Sequence, residues 1–189
     1  MQLFAAAVAT FSWLASSMAQ AQEAEMQEAV RMVAPALEKY TAHTLLGEVW
    51  QRPGLSGRDR SIVTLAALIA RGQTIEMAFY LNLALDNGVK GAEISEIITH
   101  LAFYSGWANA MSAVAVAKDV FAVRKIEVDR LPSASPALMP LDEAAEAQRA
   151  TRVAQQFQKV APGVVAYTTD ALFRDLCCVP TSPPAIGAW

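Results

Sequence analysis

From Glu23 to about Leu176 the apolar residues of this chain recur at helical spacing, and no stretch sustains the one-in-two alternation of a half-buried strand. That confines the fold to helices packed on helices, an all-α domain. Apolar residues make up 54% of the chain and charged residues 17%, so a large core can be buried and an unfolded chain is excluded.

Breakers and caps divide the pattern into segments. A first helix is predicted over 23–33, and Pro35 restarts the chain as a first-turn residue of a helix reaching Trp50. Gln51-Arg52-Pro53-Gly54 stops it. Ser56 caps a helix over 57–71 with Asp59 in its first turn, and Thr74 caps the next, which ends at Asn87-Gly88. Helices over 92–104 and 107–124 meet at Ser105-Gly106. Two more are expected over 141–159 and 163–176, after a linker at 131–140 marked by Pro132, Pro136 and Pro140.

The amino terminus reads as removable. Residues 1–21 carry no charged side chain, the apolar run from Leu3 to Leu14 is too short to cross a bilayer core of about 30 Å, and Ala19-Gln20-Ala21 fits a signal-peptidase site. Export to the periplasm or beyond follows, with a mature helical domain over 22–130. The formal charge of −3 leaves no basic surplus for nucleic acid. The two cysteines, Cys177 and Cys178, are adjacent and read as spare thiols, because joining neighbours strains the bridge.

One internal echo stands out. Val33-Ala34-Pro35 returns as Val160-Ala161-Pro162, and at the same offset of 127 Tyr40, Thr41, Leu45 and Pro53 match Tyr167, Thr168, Leu172 and Pro180. Seven identities in 21 ungapped positions make residues 141–189 a partial second copy of the first helices, with an irregular tail.

Acid–base chemistry needs His43, His100 or a shifted carboxylate. Glu96 and His100 are i and i+4 on one helix, with Glu93 a turn back on the same flank. His100 falls about 100° from the centre of the Ile94, Ile97, Ile98, Leu101 stripe by the helical period, which puts it at the edge of the core. Spacing alone serves a catalytic pair and a surface ion pair equally. Glu76 in a helical first turn favours the dipole, and Tyr80 four residues on offers a phenol. Arg52, Arg58 and Arg60 could clamp a carboxylate or simply be solvated.

The block Gly47-Glu48-Val49-Trp50, Arg52-Pro53-Gly54-Leu55, Arg58-Asp59-Arg60-Ser61, Thr64-Leu65-Ala66-Ala67-Leu68, Asn87-Gly88-Val89 and His100 through Trp107 resembles the carboxymuconolactone decarboxylase family. The resemblance implies an all-α subunit assembling as trimers or hexamers. It departs from the family's redox branch, because Phe79-Tyr80-Leu81-Asn82 stands where a CxxC pair is expected, which argues against a thiol peroxidase. Tyr80 also replaces the decarboxylases' usual His, and Ala108 a usual Pro.

What the resemblance implies is a cofactor-independent and metal-free decarboxylase, or a related lyase or isomerase, acting on a small carboxylated lactone. His100 would deliver the proton, Glu96 or Glu48 orient it, and Arg60 stabilise an oxyanion. Trp50, Glu76, Tyr80, Tyr104 and Trp107 would line the substrate. The competing expectation is an exported, non-catalytic member that binds a small hydrophobic acid or serves as an assembly subunit. The apolar stretches Ile62–Ala70 and Ala108–Ala117 predict a homo-oligomer, with no membrane span in the mature chain.

Overall fold

Proline placement sets the first turn of the architecture. The computed structural model describes residues 24–180, so the expected leader at 1–21 and the tail beyond Pro180 lie outside the described residues. Residues 24–33 are helical (α1). Pro35, which needs no amide partner, then opens α2 (Pro35–Tyr40), and the chain continues in wide π-type winding over Thr41–Val49. Gly47 accommodates that winding, since a Cβ there would stand 3.1 Å from the Ala42 carbonyl oxygen. The predicted single helix to Trp50 is thus two kinds of helix end to end.

Four helices form the core: α3 (Gly57–Ala70), α4 (Met77–Asp86), α5 (Gly91–Ser105) and α6 (Trp107–Arg124). They close a ring in the order α3, α4, α6, α5, with α3 and α6 touching across it. Leu65, Ile69, Met77, Leu81, Ile94 and Ile97 fill the middle at 1% exposure or less. Burying each such side chain contributes about 1.5–3 kcal/mol. Ala110, Ala113 and Ala117 give α6 a slim inward face, so its neighbours pack close.

The capping signals mostly hold. Ser56 Oγ accepts the Asp59 amide at 3.0 Å and donates to its carboxylate at 2.7 Å. Gly106 turns α5 into α6 at φ +100°, where a side chain would be strained. Asn109 steadies that corner by donating to the Ser105 and Ala70 carbonyls at 2.9 and 3.1 Å. Thr74 is a correction: its carbonyl accepts the Met77 amide in a turn, and α4 begins two residues late with Glu76 at the N-cap.

After the single-turn helix Val128–Arg130 and an irregular stretch come α7 (Glu143–Phe157) and α8 (Pro162–Tyr167). Asp142 caps α7 by accepting two amides at 3.0 Å. From Tyr167 the chain again switches to π-type winding, over Thr168–Phe173, and ends in a short turn at Leu176–Cys178. The predicted helix over 163–176 is therefore broken in the same manner as that over 35–50. Among the described residues there is no strand, and no helix is long and apolar enough to cross a membrane.

Candidate functional site

Two buried acids of the core and its appendage deserve a geometric description, beginning with Glu96 and His100 on α5. Because α5 packs on both α3 and α6, the flank beside its apolar stripe is covered as well as the stripe itself. His100 is accordingly 2% exposed and Glu96 6%, so the expected position at the core's edge is corrected: the imidazole is inside. Its Nδ1 lies 2.9 Å from the Glu96 carbonyl oxygen. A carbonyl only accepts, so Nδ1 carries the proton and, in the neutral ring, Nε2 is left with its lone pair. The orientation of the ring thus comes from backbone, with the Glu96 carboxylate 3.8 Å away from Nδ1.

Among the described residues, neither Glu96 Oε2 nor His100 Nε2 has a hydrogen-bond partner. A buried polar atom without one costs about 1–3 kcal/mol. Burial pushes the Glu96 carboxyl above the usual carboxylate range, and the His100 charge offsets only part of that. Glu96 is an acid that holds its proton more tightly than a surface glutamate does. Glu93, one turn back, is spent otherwise: it pairs with Arg58 at the start of α3 and accepts the Lys90 amide at 2.9 Å. That contact turns the flank shared by Glu93, Glu96 and His100 toward α3.

Tyr80 belongs to a second cluster. It is buried on α4, stacks on Trp50 with centroids 6.0 Å apart, and meets Phe79 edge-on at 5.1 Å. Burial first, and then the Glu76 carboxylate, push its phenol above the ordinary range. Glu76 itself is exposed. No hydrogen bond or ring contact joins this cluster to His100 among the described residues. Tyr104 and Trp107 lie apart at the α5–α6 corner, both more than half exposed, with Trp107 against Phe103 at 5.3 Å.

The remaining candidates take structural duties. Arg60 donates from Nη2 to the Arg52 and Leu55 carbonyls at 2.6 and 3.1 Å, so its guanidinium pins the 52–55 loop, with Nε buried and unpartnered. In this geometry Arg60 anchors the loop that precedes its own helix. Glu48 is exposed and has no side-chain hydrogen bond or ion pair to another described residue, and His43 is also exposed. The arginine cluster therefore resolves into an Arg58 paired with Glu93 and Asp59, one loop anchor and an exposed Arg52.

Sequence reasoning missed the most complete polar cluster. Glu146 on α7, 4% exposed, accepts two bonds from Arg149 at 2.7 and 2.5 Å. Arg149 also donates to Thr169 at 3.2 Å and lies 4.1 Å above the Phe173 ring. The i, i+3 spacing of Glu146 and Arg149 was its only signal. Cys177 and Cys178 are free, and burial pushes both thiols up, away from nucleophilic use. Among the described residues no group of three or more His, Cys, Asp or Glu is placed to hold a metal.

Two shallow grooves mark the surface. One of about 480 Å³ runs along α7 past Gln148 and Arg152, and one of about 300 Å³ is lined by Leu37, Tyr40, Thr41, Thr44, Leu45 and Val49. Neither is lined by a residue of the His100 or Tyr80 clusters.

Residues 35–119 match the family model described as Carboxymuconolactone decarboxylase family. Over 75 residues the chain is 41% identical to a 4-carboxymuconolactone decarboxylase of Acinetobacter baylyi, a match covering 40% of this chain and 56% of that protein. Over 70 residues it is 39% identical to a nitrosuccinic acid decarboxylase of Metarhizium robertsii, covering 37% and 49% respectively. The chain spans about half the length of the curated relatives it matches.

Proposed function

We infer, from the match of residues 35–119 to the model of the carboxymuconolactone decarboxylase family, that the protein removes CO₂ from a small carboxylic acid whose neighbouring group can take up the electron pair. The two relatives are named for different acids, carboxymuconolactone and nitrosuccinic acid, and both are named decarboxylases. A carboxylated lactone of the first kind is the substrate class we favour, by a cofactor-independent route.

The observation that carries this reading is the buried Glu96–His100 pair with its two unpartnered atoms, Oε2 and Nε2. Loss of CO₂ leaves the electron pair on the substrate's conjugated carbonyl, and the carbon must then be protonated. Nε2, bare in the neutral ring, must take up a proton before it can deliver one. Glu96 faces the opposite ring nitrogen, its Oε2 3.8 Å from Nδ1, so solvent supplies the proton to Nε2 and the carboxylate balances the charge the ring then carries. One proton passes from Nε2 to carbon, and solvent restores it after product leaves. Burial supports the first step too, since a localised carboxylate loses more from leaving water than the spread transition state does.

We further place the protein outside the cytoplasm as a homo-oligomer; intact mass beginning at Gln22 in material from the native host tests the export. The activity is tested by incubating the protein with carboxymuconolactone and, separately, with nitrosuccinic acid, while measuring CO₂. Release from the lactone, lost in His100→Gln, is expected. Thermal stabilisation by the lactone without CO₂ from either acid would overturn it in favour of a binding protein.

A further inference from the structure

The segment opening at Val160 reproduces the segment opening at Val33 in detail that side-chain identity alone does not require. Ala34 sits at φ −144°, ψ 65° and Ala161 at φ −147°, ψ 68°. Each donates its amide to the residue four back, Val30 and Phe157, at 2.7 Å in both cases. Each precedes a proline and a six-residue helix that ends on a tyrosine and turns to π-type winding on the following threonine. The exposures match as well: 83% and 82% for Val33 and Val160, 55% and 50% for Leu37 and Val164.

The duplicated feature is thus an open apolar face. On the first segment it is made of Val33, Leu37 and Tyr40 and continues into the groove ending at Val49; on the second it is Val160, Val164 and Tyr167. Among the described residues the two segments share at most a slight contact. They differ in charge. Residues 24–50 hold Glu25, Glu28, Glu38 and Glu48 against Arg31 and Lys39, four acids and two bases, hence −2. The equivalent residues 151–177 hold Arg152, Lys159 and Arg174 against Asp170 and Asp175, three bases and two acids, hence +1.

We propose that these segments are two copies of one docking element, and that the first, on one protein molecule, packs against the second on another copy of this chain. Opposite charge favours that pairing over like with like. Two molecules related by a two-fold axis then make the contact twice and close, whereas like-with-like pairing of a chain with two adhesive faces propagates without end. The assembly is built from pairs.

The test uses the full chain with Leu37→Glu and Val164→Glu, both at half-exposed positions, compared by light scattering at tens of micromolar concentration, with far-ultraviolet dichroism as the check on folding. Wild type is expected at an even multiple of the chain mass, and each variant at half the wild-type mass. An equimolar mixture of the two variants regains one sound contact per pair and recovers association. Tyr40→Glu and Tyr167→Glu repeat the design should either first variant misfold. A monomeric or odd-numbered wild type, or single variants that keep the wild-type mass, overturns the proposal.

Discussion

Glu96 and Glu146 are two acids buried to nearly the same depth in two regions of the same molecule, and their surroundings are opposite. Glu146 in the carboxy-terminal unit is held by Nε and Nη2 of Arg149, which keeps its carboxyl below the ordinary range. Glu96 in the four-helix core has an oxygen with no partner and a carboxyl pushed above that range. Both Glu146 oxygens are satisfied, and of that pair only Arg149 Nη1 is left without a partner among the described residues. A carboxyl with an unpartnered oxygen costs stability with no structural return, and that asymmetry between the two acids separates the candidate site from the scaffold.

The largest effect should come from His100→Gln. The amide keeps a polar group in the core, so the fold should survive, while turnover of a verified substrate falls by about 10² to 10⁴, the range for losing a general acid or base. Unchanged turnover in that variant returns Glu96 and His100 to a purely structural pair. Glu146→Gln should act on folding instead. It leaves Arg149 desolvated without its counter-charge, and chemical denaturation should register a loss of about 3 kcal/mol with turnover per folded molecule intact. Glu96→Gln should do the reverse, with stability at neutral pH steady or raised by about 1 kcal/mol and turnover reduced.

The subtlest contrast is in pH. Glu146, depressed in the folded state, contributes stability that is full above the unfolded carboxylate value of about 4.3 and is lost as pH falls through its lower folded value. Glu96, raised in the folded state, contributes stability that is full below about 4.3 and is lost as pH rises through its higher folded value. Denaturation curves of the two Gln variants across pH 2 to 8 should therefore differ from wild type with opposite slopes on the two sides of the unfolded value. Parallel slopes would break the comparison.

Much of the core was legible because local chemistry decides it. Ser56, Asn87-Gly88 and Ser105-Gly106 punctuate the helices where their caps and glycine dihedrals demand, and the Ile stripe of α5 faces inward as its period says. The π-type winding was not legible: over nine residues a slightly wider turn leaves nearly the same apolar spacing. Nor was the burial of His100. A helical wheel locates a residue relative to its own stripe, whereas the second wall over that flank comes from a helix distant in sequence. The loop anchoring by Arg60 was not legible for the same reason, since its acceptors are backbone carbonyls, which no residue letter announces.

At the start of α5 a Cβ on Gly91 would fall 2.8 Å from Ile126 Cγ2, just beyond the end of α6. Size at one of these positions is therefore a debt of the other. A sequence drifting toward alanine at 91 must first shrink residue 126 or tilt α5, and tilting α5 carries Glu96 and His100 with it. The gap couples the two positions, so in a library of variants alanine at 91 should be tolerated more readily where residue 126 is smaller.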